Sequence, residues 1–412
     1  MSKPTNLYPP DLPKVKVKLG DEMLFEDSKY TSLIKGKRTA LITNPTGMDS
    51  KFISTIDKLA GSPDWQLTAL FAPEHGIRGA ETAGEAVKNV KDPVTGVQVF
   101  SLHGEDKNKK PIRKPNMKQL ENVDVLIYDI QDIGNRSYTY VGTMSMCMEA
   151  AKERGIPFLV LDRPNPMGDL VDGNILDPKL ISLVGWAPVA YLYGMTPGEA
   201  AQWMNENLKI GCELHVIPMQ GWKRTMKWWD TGLPWVPTST HMQKPETCWH
   251  IALTGTVGEL HSVNEGVGYP APFEYIGAPW IDSITFANEL NRRKLPGLYF
   301  RPVYYKPYYG TYKDKRCGGV QALITDYDAV RPVDSGMHII EAVHRLYPKE
   351  NILKIDDRTK VGKSRAKMFD KVMGDGTIRA AIASGKTAEE IIAGWKPARE
   401  RFIEERKQFL IY

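Results

Sequence analysis

One apolar stretch constrains the fold of this chain more than any other feature of its sequence. Residues Val123–Ile130 read VDVLIYDI, with apolar side chains at nearly every position. A strand that faces solvent on one side alternates apolar and polar residues, whereas a strand that is covered on both faces is apolar almost throughout. The stretch therefore predicts a central strand of a parallel sheet that has helices on both sides.

Strands and helices alternate around this stretch, from residue 36 to about residue 163. Four further apolar runs have the length of strands: Arg38–Thr43, Gln66–Phe71, Val97–Leu102 and Ile156–Leu161. Helical spacing of apolar residues occurs in Phe52–Leu59 and again from Tyr140 to Ala151, and Gly155 marks the end of the second helix. The alternation predicts an α/β domain with a doubly wound, mostly parallel sheet.

Polar side chains follow the predicted strands at the points where these strands end. Ligands of such sheets bind outside the carboxyl ends of the strands. A single polar residue in a loop means little, but successive strands that end in carboxylate, amide or guanidinium groups indicate a site. The residues concerned are Asn44, Glu74, His75, Asp129, Gln131, Asp132, Asp162, Arg163 and Asn165.

Several kinds of chemistry have signatures that this sequence lacks. No GxGxxG follows a strand, and the P-loop, GxSxG and HExxH motifs are absent. The four cysteines are far apart, without CxxC spacing or histidine partners, so we expect no metal and no redox pair. The sequence predicts an enzyme without a cofactor.

Charge and hydropathy limit the partners of the chain. The net charge of +5 is spread along the sequence, and its short basic runs lack interleaved aromatics, so we expect no nucleic-acid partner. No apolar run approaches the roughly 18–20 residues that span a bilayer, and the polar, Pro-rich start is not a signal peptide. We expect a periplasmic or secreted location with the export signal removed, and a cytoplasmic location stays open.

After these exclusions, catalysis by carboxyl groups is the chemistry that remains, and it is typical of enzymes that cleave glycosides. One carboxyl group protonates the leaving oxygen, and a second group acts from the opposite face of the sugar. Glu74, in a Pro-Glu-His-Gly turn at a strand end, is the candidate acid, although it could instead cap the turn or pair with Arg78. Asp129 and Asp132 are candidates for the second carboxylate, and structural pairing with Arg136 or Arg163 is the equal alternative.

Aromatic residues supply the flat faces on which sugars stack. We expect one or two of them to contact substrate, and the rest to pack in the core or between domains. The candidates are Trp222, Trp228, Trp229, Trp235, Trp280, Tyr304, Tyr305, Tyr308 and Tyr309.

A series of ordered motifs resembles a known family. From about residue 36 to the end, the chain resembles the NamZ-type exo-β-N-acetylmuramidases, formerly a domain of unknown function. The motifs are FAPEHGIRG (71–79), YDIQDIGNRSYTYVGTM (128–144), LDRPNPMG (161–168), GMTPGEAA (194–201), NEGVG with PFEYIGAPWID (264–282), FRPVYYKP (300–307) and CGGVQ (317–321).

The resemblance implies a fold and an activity. It implies a Rossmann-like catalytic domain, a C-terminal α+β domain and a cleft between them. It also implies exo-lytic release of N-acetylmuramic acid from the non-reducing ends of peptidoglycan chains, without metal or nucleotide. The substrate would be a peptidoglycan-derived glycan or muropeptide, and the chain a monomer or homodimer.

The resemblance also assigns residues. Glu74 matches the glutamate proposed as catalytic in the family, and Glu265 matches a glutamate that the second domain brings to the site. Further motif positions are expected to line or support the site: His75, Arg78, Asp129, Gln131, Asp132, Arg136, Tyr140, Asp162, Arg163 and Asn165.

Together these patterns predict four parts of the chain. Residues 1–35 form an N-terminal extension, and residues 36–220 form the Rossmann-like catalytic domain. Residues 221–283 form a connecting segment, rich in Trp and Pro, that contributes to the cleft. Residues 284–412 form the C-terminal α+β domain.

The chain departs from the family pattern at a few positions. Val267 and Ala271 stand where the family commonly has arginine, Tyr193 where it has histidine, and Asp169 where it has glycine. Arginine would suit the lactyl carboxylate of N-acetylmuramic acid. Two alternatives therefore stay open: a glycosidase that acts on another amino sugar, and a glycan-binding protein without catalysis.

Overall fold

A computed structural model describes residues 15–77, 90–105, 108–353 and 360–412, with the backbone alone for 360–364. Arg78 lies outside the described residues. The strands are β1 (Arg38–Thr43), β2 (Gln66–Ala72), β3 (Val90–Lys91), β4 (Gln98–Ser101), β5 (Val125–Asp129), β6 (Phe158–Leu161), β7 (Val171–Ile175), β8 (Ala190–Tyr193), β9 (Leu214–Ile217), β10 (Tyr275–Ala278), β11 (Leu298–Tyr305) and β12 (Cys317–Ile324).

The helices surround these strands, and none in the described part of the chain is both long and apolar enough to cross a membrane. Short 3₁₀ helices cover Pro178–Leu180, Pro348–Glu350 and Arg406–Phe409. The α-helices are α1 (Gly20–Glu26), α2 (Ser28–Thr31), α3 (Thr55–Ala60), α4 (Thr139–Arg154), α5 (Pro197–Asn207), α6 (Trp228–Thr231), α7 (Thr247–Gly258), α8 (Ser283–Arg292), α9 (Pro332–Leu346), α10 (Lys360–Met373), α11 (Ile378–Ala383) and α12 (Ala388–Glu405).

The main sheet has seven strands in the order β3-β4-β2-β1-β5-β6-β9. All neighbours pair in parallel except β3, which is antiparallel to β4 at the edge. The chain therefore builds outward from β1 through β2 to β4, and then returns to β5 and builds in the other direction. This is the strand order of a Rossmann-like sheet, with its topological switch point between β1 and β5. The predicted fold class is confirmed.

The apolar stretch explains why the sheet is covered on both sides. Every residue of β5 is buried, as its sequence predicts. Successive side chains of a strand point to opposite faces. Leu126 and Tyr128 accordingly pack in the core with α4 and α5, whereas Val125 and Ile127 pack in the core with α1 and α3.

Capping residues set the ends of several helices. Thr196 accepts a hydrogen bond from the Glu199 backbone N–H, and the Glu199 carboxylate accepts one from the Thr196 N–H, so the two residues form a capping box at the start of α5. Gly155 ends α4 in the left-handed conformation, with φ of 71°. The helix predicted over Phe52–Leu59 begins later, at Thr55, because the Ser54 side chain caps it and Phe52 has a positive φ.

The segment that precedes β1 packs onto the sheet. Leu24 and Ile34 are fully buried in the core that contains β1, β2 and β5. Gly20 lies so close to the backbone of Leu161 and Asp162 that a Cβ atom there would clash with it. Residues 15–35, predicted as an extension, thus complete one face of the domain.

The C-terminal part has its own core around an antiparallel sheet in the order β10-β12-β11. Apolar residues of α7, α8 and α9 fill this core together with those of α10, α11 and α12. The C-terminal part predicted over 284–412 opens with α8, β11 and β12. The predicted connecting segment, residues 221–283, contains α6, α7 and β10.

Two arginines, one fully buried and one partly buried, join the C-terminal helices to the N-terminal domain. Arg136 is fully buried and donates hydrogen bonds to the carbonyl oxygens of Val189 (2.8 Å) and Met373 (2.8 Å), the second of which ends α10. Arg399 of α12 lies 3.1 Å from the buried carboxylate of Asp172 and 2.9 Å from that of Asp334. These contacts fix the two domains relative to each other.

Candidate functional site

A cavity of about 400 Å³ lies between the two domains, where the sequence predicts a cleft. Its N-terminal wall comes from the loop after β2, the first turn of α4 and β8. Its C-terminal wall comes from α7, α10, the loop before β10 and the loop after β11. The polar lining residues on these walls are Glu74, His75, Ser137, Tyr138, Thr139, Tyr140, Tyr191, Ser239, His241, Glu259, His261, Glu265 and Thr311.

Glu74 is held at the N-terminal wall by its neighbours. The Thr139 hydroxyl at the start of α4 donates to its Oε2 at 2.7 Å, and Nε2 of His103 lies 3.9 Å from its Oε1. The next residue, His75, has a φ of 70°, a left-handed conformation that a residue with a side chain adopts only under constraint. The turn thus holds the Glu74 carboxyl group in one orientation at the edge of the cavity.

Glu265 lies on the C-terminal wall. Its side chain runs along the end of α7, where Gly258 has no Cβ that would occupy the same space. Burial, together with a smaller effect of the neighbouring Glu259, raises the pKa of Glu265 to about 7. The Asn264 side chain orders this loop, because it accepts from the Gly266 N–H and donates to the carbonyl oxygens of Val267 and Thr311.

The arrangement suits acid–base work on one bound group. Two carboxyl groups enter the cavity from opposite domains, and one of them has a pKa near neutrality. A glycoside that lies between them meets one group able to give a proton and another able to act on the sugar carbon.

Asp129 is not part of this cavity. Both of its carboxylate oxygens bind Arg163, at 2.5 and 2.9 Å, and the Thr55 hydroxyl donates to one of them at 2.6 Å. Asp129 is fully buried, and the space beside its partner Arg163 measures only about 20 Å³. We call Thr55, Asp129 and Arg163 the switch-point cluster, since they lie where β1 and β5 end. The geometry favours the structural pairing of Asp129 over a catalytic role.

Asp162 and Asn165 are likewise occupied by the protein itself. Asp162 accepts hydrogen bonds from the Gly198 N–H (2.7 Å), the Thr196 hydroxyl (2.8 Å) and the Tyr412 hydroxyl (2.7 Å), so it caps α5. Burial raises the pKa of Asp162 to about 7. Asn165 donates to the carbonyl oxygen of Met195 at 3.1 Å.

Some of the remaining predicted residues form hydrogen bonds within the protein, and others line the cavity. Gln131 donates to the carbonyl oxygens of Asp132 and Pro164, and Asn44 accepts from the Thr46 N–H. Asp132 accepts from the Tyr193 hydroxyl at 2.7 Å, and burial raises its pKa to about 6. Of the residues predicted for the site, the structure brings four to the cavity: Glu74, His75, Tyr140 and Glu265.

One group of side chains has the spacing of a metal site within the described part of the chain, and it does not line the cavity. It consists of His338, Glu341 and Glu389. Arg293 donates to Glu341 at 2.7 Å and lies 3.3 Å from Nδ1 of His338. Because this guanidinium cation would repel a metal ion, the group is an ion-pair network.

Family models match nearly the whole chain. The N-terminal model of exo-β-N-acetylmuramidase NamZ matches residues 39–246, and the C-terminal model of the same family matches residues 252–412. The chain belongs to the NamZ family of exo-β-N-acetylmuramidases.

Relatives and solved structures agree with this membership. The chain is 42% identical over 400 residues to the peptidoglycan β-N-acetylmuramidase NamZ of Bacillus subtilis, which covers 97% of this chain and 92% of that protein. It is similar to a DUF1343 family protein of Bacteroides fragilis, with a TM-score of 0.88 and 39% identity over 97% of this chain and all of the other. A second Bacteroides fragilis protein of that name has a TM-score of 0.72 and 28% identity, with 96% and 99% covered.

The departures from the NamZ pattern fall at different places. Val267 lines the cavity, whereas Ala271 is not among its lining residues. Tyr193 replaces the usual histidine and hydrogen-bonds the buried Asp132. Its role in this chain is therefore structural.

Sequence reasoning missed several lining residues. Ser137, Tyr138 and Thr139 lie in the motif that precedes α4, and a signal existed, because the start of this helix follows the end of β5. Ser239 and His241 lie in an irregular segment whose sequence has no periodicity, so nothing in the pattern places them. Glu259 follows the last residue of α7 and carried no motif signal.

Proposed function

We propose that the chain is an exo-acting glycoside hydrolase that releases N-acetylmuramic acid from the non-reducing ends of peptidoglycan fragments. The observation that carries this proposal is the pair Glu74 and Glu265 in one cavity between the domains. The identity to a named peptidoglycan β-N-acetylmuramidase supports the choice of sugar and polymer. A periplasmic or secreted location belongs to the same proposal, because peptidoglycan lies outside the cytoplasmic membrane.

In this proposal Glu74 is the general acid. Its carboxyl group gives a proton to the glycosidic oxygen as the bond from that oxygen to C1 of the sugar breaks. Glu265 stabilises the positive charge that develops at C1 or takes the proton of the water that attacks there. The Thr139 hydrogen bond keeps one oxygen of Glu74 fixed, which reduces the reorganisation needed during the reaction.

The environment of Glu265 supports a second assignment, in which the two roles are exchanged. A general acid must hold a proton at the working pH, and burial raises the pKa of Glu265 to about 7. A substrate with a dinitrophenyl leaving group separates the assignments, because such a group departs without protonation. The variant that lacks the acid keeps substantial activity on this substrate, whereas the variant that lacks the other carboxylate loses it. Glu74→Gln and Glu265→Gln are the matched pair.

Hydrolysis of a chromogenic N-acetylmuramic acid glycoside tests the proposed function. The N-acetylglucosamine analogue is the matched substrate control, since it lacks only the lactyl group. We expect cleavage of the muramyl compound, and a loss of about 10²–10⁴-fold in Glu74→Gln on an unactivated muramyl disaccharide, whose leaving sugar needs the proton. Cleavage of the N-acetylglucosamine compound instead would favour a glycosidase on another amino sugar. Binding of muropeptides without any cleavage would favour a glycan-binding protein.

A further inference from the structure

Two exposed tyrosines lie beside the mouth of the cavity. Tyr308 and Tyr309 are in the loop after β11, with 64% and 49% of their surface exposed. The ring of His241 stacks on that of Tyr309, with ring centres 6.1 Å apart. We call these three side chains the aromatic ledge. Exposed aromatic rings gathered in one place indicate a binding surface.

The ledge is continuous with the cavity. His241 lines the cavity, and its Nε2 lies 2.8 Å from the Tyr309 hydroxyl. Gly310 and Thr311, which follow Tyr309 directly, also line it. A ligand that leaves the cavity on this side must therefore pass over the ledge.

The ledge is also fixed to the loop that carries Glu265. The Tyr308 N–H donates to the carbonyl oxygen of Gly268 at 2.7 Å, and the Asn264 side chain donates to that of Thr311 at 3.1 Å. The ring of Tyr308 stacks on Tyr269, with centres 6.3 Å apart. A surface held in place in this way loses little conformational freedom when a ligand binds.

The segment that carries the ledge is basic. Residues 301–316 contain five basic side chains and one acidic side chain, Asp314. This charge suits a polymer whose sugars carry acidic substituents.

We propose that the aromatic ledge binds the leaving-group side of the glycan, with the sugar after the scissile bond stacked on Tyr308 and Tyr309. This proposal rests on the proposed function. A cavity of about 400 Å³ is at the small end of ligand sites and suits one terminal sugar, so the rest of the chain lies outside it. The apolar face of a sugar ring packs on an aromatic ring, and the basic side chains meet the carboxylates of the attached peptides.

The test compares a short and a long substrate. The Tyr308→Ala/Tyr309→Ala double variant is measured on the chromogenic muramide and on an alternating tetrasaccharide with N-acetylmuramic acid at its non-reducing end. We expect kcat/KM on the tetrasaccharide to fall about tenfold through KM, and to fall at least about fivefold more than on the muramide. Tyr309→Phe keeps the ring and should keep most of the tetrasaccharide activity.

Tyr299→Ala is the matched control. Its ring is 50% exposed, like that of Tyr309, but it lies six residues before Tyr305 on β11, roughly 20 Å away. This variant should match the wild type on both substrates. If kcat/KM of the double variant falls equally on both substrates, or does not fall, the proposal for the ledge is wrong. Activity of the wild type on these substrates still supports the proposed function in that case.

If the wild type has no activity, a binding measurement still tests the ledge separately from the proposed function. If the wild type cleaves neither substrate, the proposed function fails, and tetrasaccharide affinity is then measured by calorimetry with Glu74→Gln protein. An unchanged Kd after Tyr308→Ala/Tyr309→Ala overturns the ledge, and a roughly tenfold weaker Kd supports it.

Discussion

The switch-point cluster and the interdomain cavity both lie at the carboxyl edge of one sheet, and both have carboxyl groups directly after a strand. Asp129 ends β5 and Glu74 follows β2. The two groups differ in the space before them. Asp129 is fully buried against the guanidinium of Arg163, beside which a space of only about 20 Å³ is open, whereas Glu74 lines a cavity of about 400 Å³. A carboxyl group at a strand end becomes a candidate for catalysis only where the rest of the fold leaves room for a substrate.

The comparison also explains why this Rossmann-like sheet uses an unusual position. Open α/β sheets commonly bind ligands at the switch point, here between β1 and β5. In this chain Arg163 and Asp129 fill that position. The cavity lies instead to one side of the switch point, where the C-terminal domain packs over the end of β2 and the start of α4.

Breaking the switch-point cluster should have the largest effect on stability. Arg163→Met leaves the buried Asp129 without its cation, and we expect the free energy of unfolding to fall by about 3–5 kcal/mol. Urea denaturation measures it. Arg38→Met is the matched control, because the Arg38–Asp124 pair is about 40% exposed and should contribute about 1 kcal/mol or less. Equal losses in the two variants would contradict a buried structural role for the cluster.

On the cavity side of the comparison, Glu265 should make the free energy of unfolding depend on pH. Burial raises the pKa of Glu265 from 4.5 to about 7, so between these values the folded chain holds a proton that the unfolded chain has released. Unfolding then releases this proton, and rising pH lowers the stability of the wild type across that window. Glu265→Gln has no carboxyl group at this position, so its stability should not fall in this way as the pH rises.

We expect the stability of Glu265→Gln relative to wild type to rise by about 1–3 kcal/mol between pH 4.5 and pH 8. Denaturation curves at several pH values measure the difference. Parallel curves for the two proteins would show that Glu265 titrates normally.

A smaller loss should follow from removal of one hydroxyl near the switch point. The Tyr412 hydroxyl donates to Asp162 and accepts from the Met219 N–H at 2.8 Å. Tyr412→Phe leaves buried groups without partners, and we expect the free energy of unfolding to fall by about 1–2 kcal/mol. Tyr347→Phe is the control, because its hydroxyl bonds Asp282 at the surface, where water replaces it. A greater loss in the control would reverse the interpretation.

The smallest effect concerns orientation in the cavity. Thr139→Val removes the hydrogen bond to Glu74, and we expect kcat to fall about tenfold, equivalent to about 1.4 kcal/mol, with KM nearly unchanged. Thr139→Ser keeps the hydroxyl and should restore most of the rate. If the serine variant is as slow as the valine variant, the threonine acts through packing and does not position Glu74.

The sheet could be predicted from the sequence because its signals are local. The continuous apolar run of β5 and the glycine after α4 each act within a few residues. The short strands β7, β8 and β9 lack such signals and depend on tertiary pairing. The strand ends also indicated the correct edge of the sheet.

The division of roles among the strand-end residues could not be predicted from the sequence. Asp129 and Glu74 have the same local signal, and only the packing of Arg163 against one and of the C-terminal domain opposite the other separates them. The assignment of Glu265 to the site was predicted only from the resemblance to the family. His241 and Ser239 lie in an irregular segment, whose course is set by contacts with residues distant in sequence.

One paired measurement tests the division between cluster and cavity most directly. Glu74→Gln and Asp129→Asn are compared for hydrolysis of an unactivated muramyl disaccharide per folded molecule, and for free energy of unfolding. The account predicts that Glu74→Gln loses at least about 10²-fold in kcat with nearly unchanged stability, whereas Asp129→Asn is several kcal/mol less stable but keeps its kcat. A stable, folded Asp129→Asn protein without activity, beside an active Glu74→Gln protein, would contradict it.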